Sequence, residues 1–299
     1  MRYTWQAFFK DFSSIMKEEL LAGKELEARS TSAKKVSYSQ SASRLREIIL
    51  RQSKRAGVGH IGSALSIADL IWTLYGYVLN VPGARDPDRD RFVLAKGHAA
   101  LALYGSLFMK GYITEDELDT FCGEGSKLGV HPEHCLEWVD FATGSLGQGL
   151  SFGVGAALAA KMQKSERRIF VLMSDAELNE GSSWEAIMYA AQHKLSNLTV
   201  MVDLNGQQAL GYTKDILDLS PVSTKFRSFG WDAFDVDGHD IPQMLDVING
   251  LDFKEGKPHV LVAHTTFGKG VSFMENQIAW HYLPLNDEQY TEAIAEVLS

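Results

Sequence analysis

Residues 170–211 read FVLMSDAELNEGSSWEAIMYAAQHKLSNLTVMVDLNGQQALG. Two short runs, at 170–173 and 198–202, are almost wholly apolar, and a segment with helical patterning separates them. A strand with only apolar residues needs cover on both of its faces, whereas a half-exposed strand alternates polar and apolar positions. Two such strands joined through a helix form a right-handed βαβ unit. This predicts an α/β fold of three layers: a mostly parallel sheet with helices on both faces. Ligands of such sheets bind beyond the carboxyl ends of the strands. Asp175 and Asn205 stand just after the two runs. A carboxylate and an amide oxygen at neighbouring strand ends suit a hard divalent cation, and Mg²⁺ usually shares such a site with phosphate oxygens.

Other segments supply the remaining layers. Leu45, Ile48 and Ile49 mark one core-facing helical stripe, and Ile67, Leu70 and Ile71 mark another. Residues 147–162 are rich in Gly and Ala, which predicts a buried helix that packs closely on its neighbours. Residues 231–236 and 258–264 read as further strands, and Ile241, Met244, Leu245 and Ile248 give the i, i+3, i+4, i+7 stripe of an amphipathic helix. Residues 1–38 read as a peripheral helix and polar linker, leaving one large domain over 39–299.

Charge and composition exclude several function classes. The formal charge is −9, from 29 Lys and Arg against 38 Asp and Glu, which argues against a nucleic-acid partner. No apolar run reaches the ~20 residues of a membrane span. The N-terminus lacks a signal-peptide pattern. Two cysteines, Cys122 and Cys135, are too few for a disulfide framework. The expected location is the cytoplasm, with no membrane association.

Blocks spread over residues 40–290 carry a resemblance. AGVGHIGSALS (56–66), DRFVLAKGHA (90–99), His131-Pro132, TGSLGQGLS (143–151), GKGVSFME (268–275) and Trp280-His281 occur in that order. Together with the strand-end Asp175 and Asn205 they resemble the transketolases, specifically the diphosphate-binding half, as found where the enzyme is encoded as two polypeptides. The resemblance implies thiamine diphosphate and Mg²⁺, or another divalent cation such as Ca²⁺ or Mn²⁺. Asp175, Asn205 and the backbone carbonyl of Gln207 are the implied metal ligands. Cofactor contacts are implied for His98, Gly144, Ser145, Leu146, Ala176, Glu177 and His281 as well as Asp175 and Asn205. His60, His131 and His281 are the implied catalytic residues, moving protons at sugar hydroxyls. Glu180 and Glu185 match acidic residues that approach their symmetry mates across a dimer. His264 matches no family catalytic residue and reads as structural.

Three departures and one absence qualify the match. Ser174 and Ala176 replace the two glycines of the family's diphosphate turn, and a methyl at 176 loses glycine's freedom at positive φ. Tyr282 follows His281 where many members have Gly, which would narrow or reshape the substrate entrance. Cys122, His131, His134 and Cys135 do not have a usual zinc spacing. The glutamate that activates the cofactor's aminopyrimidine, and most groups that grip a sugar phosphate, belong to the half that is missing. The implied function is therefore ketol transfer from a ketose or its phosphate to an aldose. The implied assembly is α₂β₂, in which this chain self-associates and is completed by a pyrimidine-binding C-terminal subunit. Two alternatives stand beside it: the alpha subunit of a 2-oxoacid dehydrogenase, and a scaffold subunit without cofactor.

Overall fold

Among the described residues seven strands form in chain order: β1 (Arg91–Leu94), β2 (Ile169–Ser174), β3 (Leu198–Leu204), β4 (Gln207–Gln208), β5 (Gly211–Tyr212), β6 (Asp232–Asp237) and β7 (His259–His264). Five of them make one parallel sheet in the order β1-β2-β3-β7-β6, and β4 pairs with β5 as a small antiparallel hairpin. The computed structural model describes residues 38–299, of which 42–299 form one unit. The helix and linker expected at 1–38 fall outside the described residues but for the last position.

The burial of the strands follows their composition. Every residue of β2 is buried, as its unbroken apolar run requires. β6, on the sheet edge, carries Asp232, Asp235 and Asp237 and is largely open, a composition that discourages pairing with a foreign strand. On one face Val93, Val171, Met173, Val200, Val202 and Val262 pack against the helices Gly149–Met162 and Gly181–Gln192 and against Phe226 and Trp231. On the other, Phe92, Leu94, Phe170, Leu172, Met201 and Leu261 are equally buried, and the ring of Tyr75 meets Phe92 edge-on at 5.4 Å. Burying each such side chain contributes roughly 1.5–3 kcal/mol, so this double-sided core, more than helix propensity, holds the layers together.

The small residues of the helix Gly149–Met162 allow its close approach. A Cβ on Gly153 would stand 2.3 Å from Val171, and one on Gly149 the same distance from the Ala95 Cβ. The helix is buried on one face, through Leu150, Gly153, Val154, Ala157 and Ala160, while the opposite face is partly open and Phe152 is 39% exposed. The remaining expectations hold with shifts of one or two residues. The amphipathic helix spans Ile241–Asn249, capped by Asp240, whose side chain accepts from the Gln243 N–H, and it buries Ile241, Met244 and Ile248. Among the described residues no helix is long and apolar enough to cross a membrane.

Chain progress runs one way across the sheet from β1 through β3 to the edge strand β6 and reverses there, β7 returning to lie between β6 and β3. Such a reversal opens a crevice at the carboxyl ends of the strands.

Candidate active site

The ends of β1, β2 and β3 deliver their following residues to one cavity of about 340 Å³. It is lined by His60, His98, His131 and His281, by Leu146, Ser174, Ala176, Asn205 and Gln207, and by the hairpin residues up to Leu210. The structure thus brings together residues from widely separated sequence blocks. A larger hollow at Lys161, Arg168 and Asn197 lies at the opposite ends of the strands and shares no residue with this one.

A buried charge pair lies under the cavity floor. Asp203, on β3, is wholly buried and pairs with Lys96, which is 1% exposed. Asp203 also accepts from Ser66 Oγ at 2.7 Å, from Asn205 Nδ2 at 2.8 Å, and from Thr265 Oγ1. Burial pushes its carboxyl upward, but Lys96 and these bonds outweigh burial and hold it below the usual carboxylate range. Sequence reasoning missed Lys96 and Asp203. The signal was present: a carboxylate one register step from the end of an apolar strand needs a counter-charge, and the block DRFVLAKGHA contains a lysine between apolar residues.

Asp175 caps the short helical turn Ala176–Asn179. Its Oδ1 accepts from the Ala176 N–H at 2.9 Å and its Oδ2 from the Gly206 N–H at 2.8 Å. Burial first, and then the negative charge of Asp203, push its carboxyl up to about 7. Asn205 turns Oδ1 to the Gln207 N–H at 2.9 Å. Glu177 is buried beside them, accepting from the N–H groups of Gly147 at 3.1 Å and Ser174 at 3.0 Å, and burial pushes it also to about 7. Its carboxylate therefore fastens the 147 loop to the end of β2. Neither Ser174 nor Ala176 has positive φ, so this turn does not need the glycines that the sequence replaces.

Hard oxygen donors and a carboxylate raised by burial and then by the negative charge of Asp203 fit a divalent cation. Among the described residues no group of three or more His, Cys, Asp or Glu side chains could hold a metal. A cation here would therefore rest on the Asp175 carboxylate with amide and carbonyl oxygens, the donor types of Mg²⁺ and Ca²⁺ sites. Cys122 and Cys135 are free and exposed.

The pH behaviour follows. Between the ordinary carboxylate value of ~3.9 and about 7, folded Asp175 keeps a proton that the unfolded chain has released. Its contribution to stability is fully present below ~3.9 and is lost as pH rises through 7. A cation binds the ionised form, so affinity for Mg²⁺ should rise from pH 6 to pH 8 and binding should release protons near pH 7. Calorimetry in two buffers of different ionisation enthalpy reads that release; binding without proton release would rule out Asp175 as the ligand.

Three of the histidines are held neutral. Burial and the neighbouring His131 lower His60; burial and Lys96 lower His98 well below its ordinary value; burial and Lys96 push His281 down to about 4. Each can take up or give a proton at a ring nitrogen without carrying a standing charge at neutral pH. His60 sits at φ 61° as the cap of the helix Ile61–Ser66, a left-handed conformation that non-glycine residues adopt mostly where surrounding structure enforces it. His98 Nε2 is 2.8 Å from Ser63 Oγ, and the His60 and His98 rings lie 5.4 Å apart. His281 stacks on Phe267, with ring centroids 4.3 Å apart and planes 15° apart. Gly144 lies beside the His131 ring, which a Cβ there would meet at 3.4 Å, while Ser145 is exposed and neither lines the cavity. Glu180 and Glu185 are exposed on the helix side of the sheet. His264 is outside the cavity, on the end of β7, 3.3 Å from Asp235.

The family described as "Transketolase, thiamine diphosphate binding domain" matches residues 37–297. The chain is 40% identical over 256 residues to one subunit of the apulose-4-phosphate transketolase of Phocaeicola vulgatus, covering 85% of this chain and 90% of that one. It is 37% identical to the 6-deoxy-6-sulfo-D-fructose transketolase subunit SqwG of a Clostridium species, covering 89% of this chain and 98% of that one. The structure of transketolase from Campylobacter jejuni superposes with a TM-score of 0.81 at 30% identity, covering 87% of this chain but 42% of that longer one.

Proposed function

Because the chain belongs to the family of the transketolase thiamine diphosphate binding domain, we propose that it is the N-terminal subunit of a two-polypeptide transketolase, with residues 39–299 as its diphosphate-binding domain. The observation that carries this reading is the convergence of four histidines with Asn205 on one cavity, whose lining includes Ser174 and Ala176 on either side of the buried Asp175. A 2-oxoacid dehydrogenase subunit shares the strand-end carboxylate and amide, but the histidine set favours ketol transfer.

Asp175 and Asn205, with the carbonyl of Gln207, would hold Mg²⁺, and through it the diphosphate of thiamine diphosphate. Bound there, the cofactor would supply the electron sink needed to move a two-carbon ketol unit from a ketose to an aldose. The protein's own part is positional and protonic. Glu177 holds the loop of Gly144, Ser145 and Leu146 against the end of β2. His98, fixed near Ser63, presents an uncharged ring toward the diphosphate end. His60, His131 and His281 move protons at the sugar's hydroxyl oxygens, and the neutrality of His60 and His281 avoids repelling a cation nearby. The two relatives are named for a sugar phosphate and a sulfo-sugar, so a ketose with a terminal anionic group is the substrate class we assign.

Those relatives are named as subunits, which supports a partner in the form of a pyrimidine-binding C-terminal subunit, and an α₂β₂ assembly around a dimer of this chain. The purified chain alone is expected to show no ketol transfer, and the chain mixed with the C-terminal subunit is expected to show it. Light scattering and a coupled assay with a ketose phosphate donor and an aldose acceptor measure both. Robust transfer by this chain alone would defeat the reading.

A further inference from the structure

A histidine that transfers a proton is usually aimed by a hydrogen bond at its other ring nitrogen, which also fixes the tautomer. His281 has no such bond among the described residues: its Nδ1 is buried and without a hydrogen-bond partner. The Ile278 backbone is near enough to favour the protonated ring but does not meet Nδ1 in normal geometry. Aim matters here. A ring nitrogen gives or takes a proton only along its own in-plane direction, and hydrogen bonds weaken steeply as that direction is missed. Some other contact must therefore hold the plane of the ring.

Phe267 is placed to do so. Its ring lies nearly parallel to the imidazole, with centroids 4.3 Å apart and planes 15° apart. His281 lines the cavity and Phe267 does not, so the benzene ring stands behind the imidazole as seen from the cavity. Phe267 is wholly buried and cannot retreat. A Cβ on Gly62 would stand 2.1 Å from its Cε1 and 2.4 Å from its Cζ. The ring thus fills the space that a glycine leaves on the helix Ile61–Ser66 and is held between that helix and His281.

The backbone on both sides of Phe267 is anchored as well. Its carbonyl accepts from the Asn276 N–H at 2.9 Å, and the Gly268 N–H donates to the Gly62 carbonyl at 3.0 Å. The Thr266 N–H donates to His239 Nε2 at 2.9 Å. That bond makes Nε2 the acceptor, so His239 Nδ1 carries the proton and donates to Asp69 at 2.7 Å. Asp69 is buried and paired with Arg46, whose Nε donates to the Lys269 carbonyl at 3.0 Å. Arg46, Asp69 and His239 all lie outside the cavity lining, and their bonds converge on the segment that carries Phe267.

We propose that Phe267 is a positioning residue for proton transfer: its stacked ring fixes the plane of the His281 imidazole, and the network that ends at Arg46 fixes Phe267. The inference rests on the ketol-transfer reading, in which His281 moves a proton at a sugar hydroxyl.

Phe267→Leu tests this, because it keeps an apolar side chain and removes the flat surface. The assembly of this chain with its partner, thiamine diphosphate and Mg²⁺ is assayed at saturating cofactor. The donor is D-fructose 6-phosphate or 6-deoxy-6-sulfo-D-fructose, whichever the wild type turns over faster, and D-glyceraldehyde 3-phosphate is the acceptor. We expect kcat to fall roughly 10- to 100-fold, the cost of a misplaced reacting group. Within a His281→Ala background the same change should alter kcat by no more than about twofold, because no ring is left to aim. Proton NMR of the ligand-free chain supplies a readout apart from turnover. The Cε1 proton of His281, assigned by its absence from His281→Ala, should lose its ring-current shielding in Phe267→Leu. Losses of equal size in both backgrounds would give Phe267 a role independent of His281 and overturn the proposal. Undiminished turnover by Phe267→Leu, or a His281 resonance that does not move, would overturn it too. His281→Ala with wild-type turnover would remove the histidine from proton transfer, and the proposal with it. Phe267→Met, unbranched and able to fill the same space, takes the place of the Leu variant if that does not fold. A wild-type assembly inactive with both donors defeats the functional reading instead, and the His281 resonance then decides alone whether Phe267 holds the ring.

Discussion

A Lys96→Met chain is expected to be less stable than the wild type by about 3–5 kcal/mol, the range observed when one member of a buried ion pair is removed. Among the described residues Lys96 is the only cation paired with Asp203, and both are almost fully shielded from water. The hydroxyls of Ser66 and Thr265 and the amide of Asn205 still surround Asp203 in the variant, but none of them carries a charge. The stranded carboxylate escapes its penalty by taking up a proton, so the deficit should shrink as pH falls. Urea unfolding at pH 8 and pH 5 measures this, and the double variant Lys96→Met/Asp203→Asn should recover part of the loss. Equal stability of the single variant and the wild type at pH 8 would mean that the pair does not hold the floor of the cavity.

Asp175→Asn is expected to separate folding from binding. The amide has the same shape and removes a charge that burial and Asp203 already disfavour, but it turns a donor toward one of the N–H groups of Ala176 and Gly206, so the ligand-free chain should stay folded at pH 8 with a stability change of no more than about 1–3 kcal/mol. Affinity for Mg²⁺ and thiamine diphosphate should fall by at least the upper end of the 10–100-fold range that follows loss of a merely supporting residue in metal sites. Calorimetric titration beside thermal unfolding gives both numbers. A variant that binds the cofactor as tightly as the wild type removes Asp175 from the cation site. A variant that binds poorly because it has unfolded would reveal a structural aspartate instead.

Much of the site was legible because strand ends are legible. An apolar run that stops at a polar residue marks where a parallel strand reaches the surface, and the carboxyl end of a parallel sheet is where ligands bind. Asp175 and Asn205 could be placed by that rule from the residues alone, and the histidines through their ordered blocks. The rule does not extend to residues that never reach the surface. Lys96 and Asp203 meet across a gap of more than a hundred positions, and although their apolar flanks call for a counter-charge, nothing local says which residue supplies it. Ser174 and Ala176 show the reverse case. As a pattern they were defects, yet the backbone there stays at negative φ, where a side chain is at no disadvantage.

The sequence by itself determined the layers, the order of the strand-end residues and the family, because side-chain periodicity and short ordered blocks are local properties of the chain. Tertiary structure alone decided which charges are buried, which histidines are neutral and which polar atoms lack a partner. Those depend on distance and desolvation among residues far apart in sequence. His281 at about 4 and Asp175 at about 7 illustrate the point. Both shifts begin with burial, a property that no residue has until the sheet, its helices and the hairpin close around it.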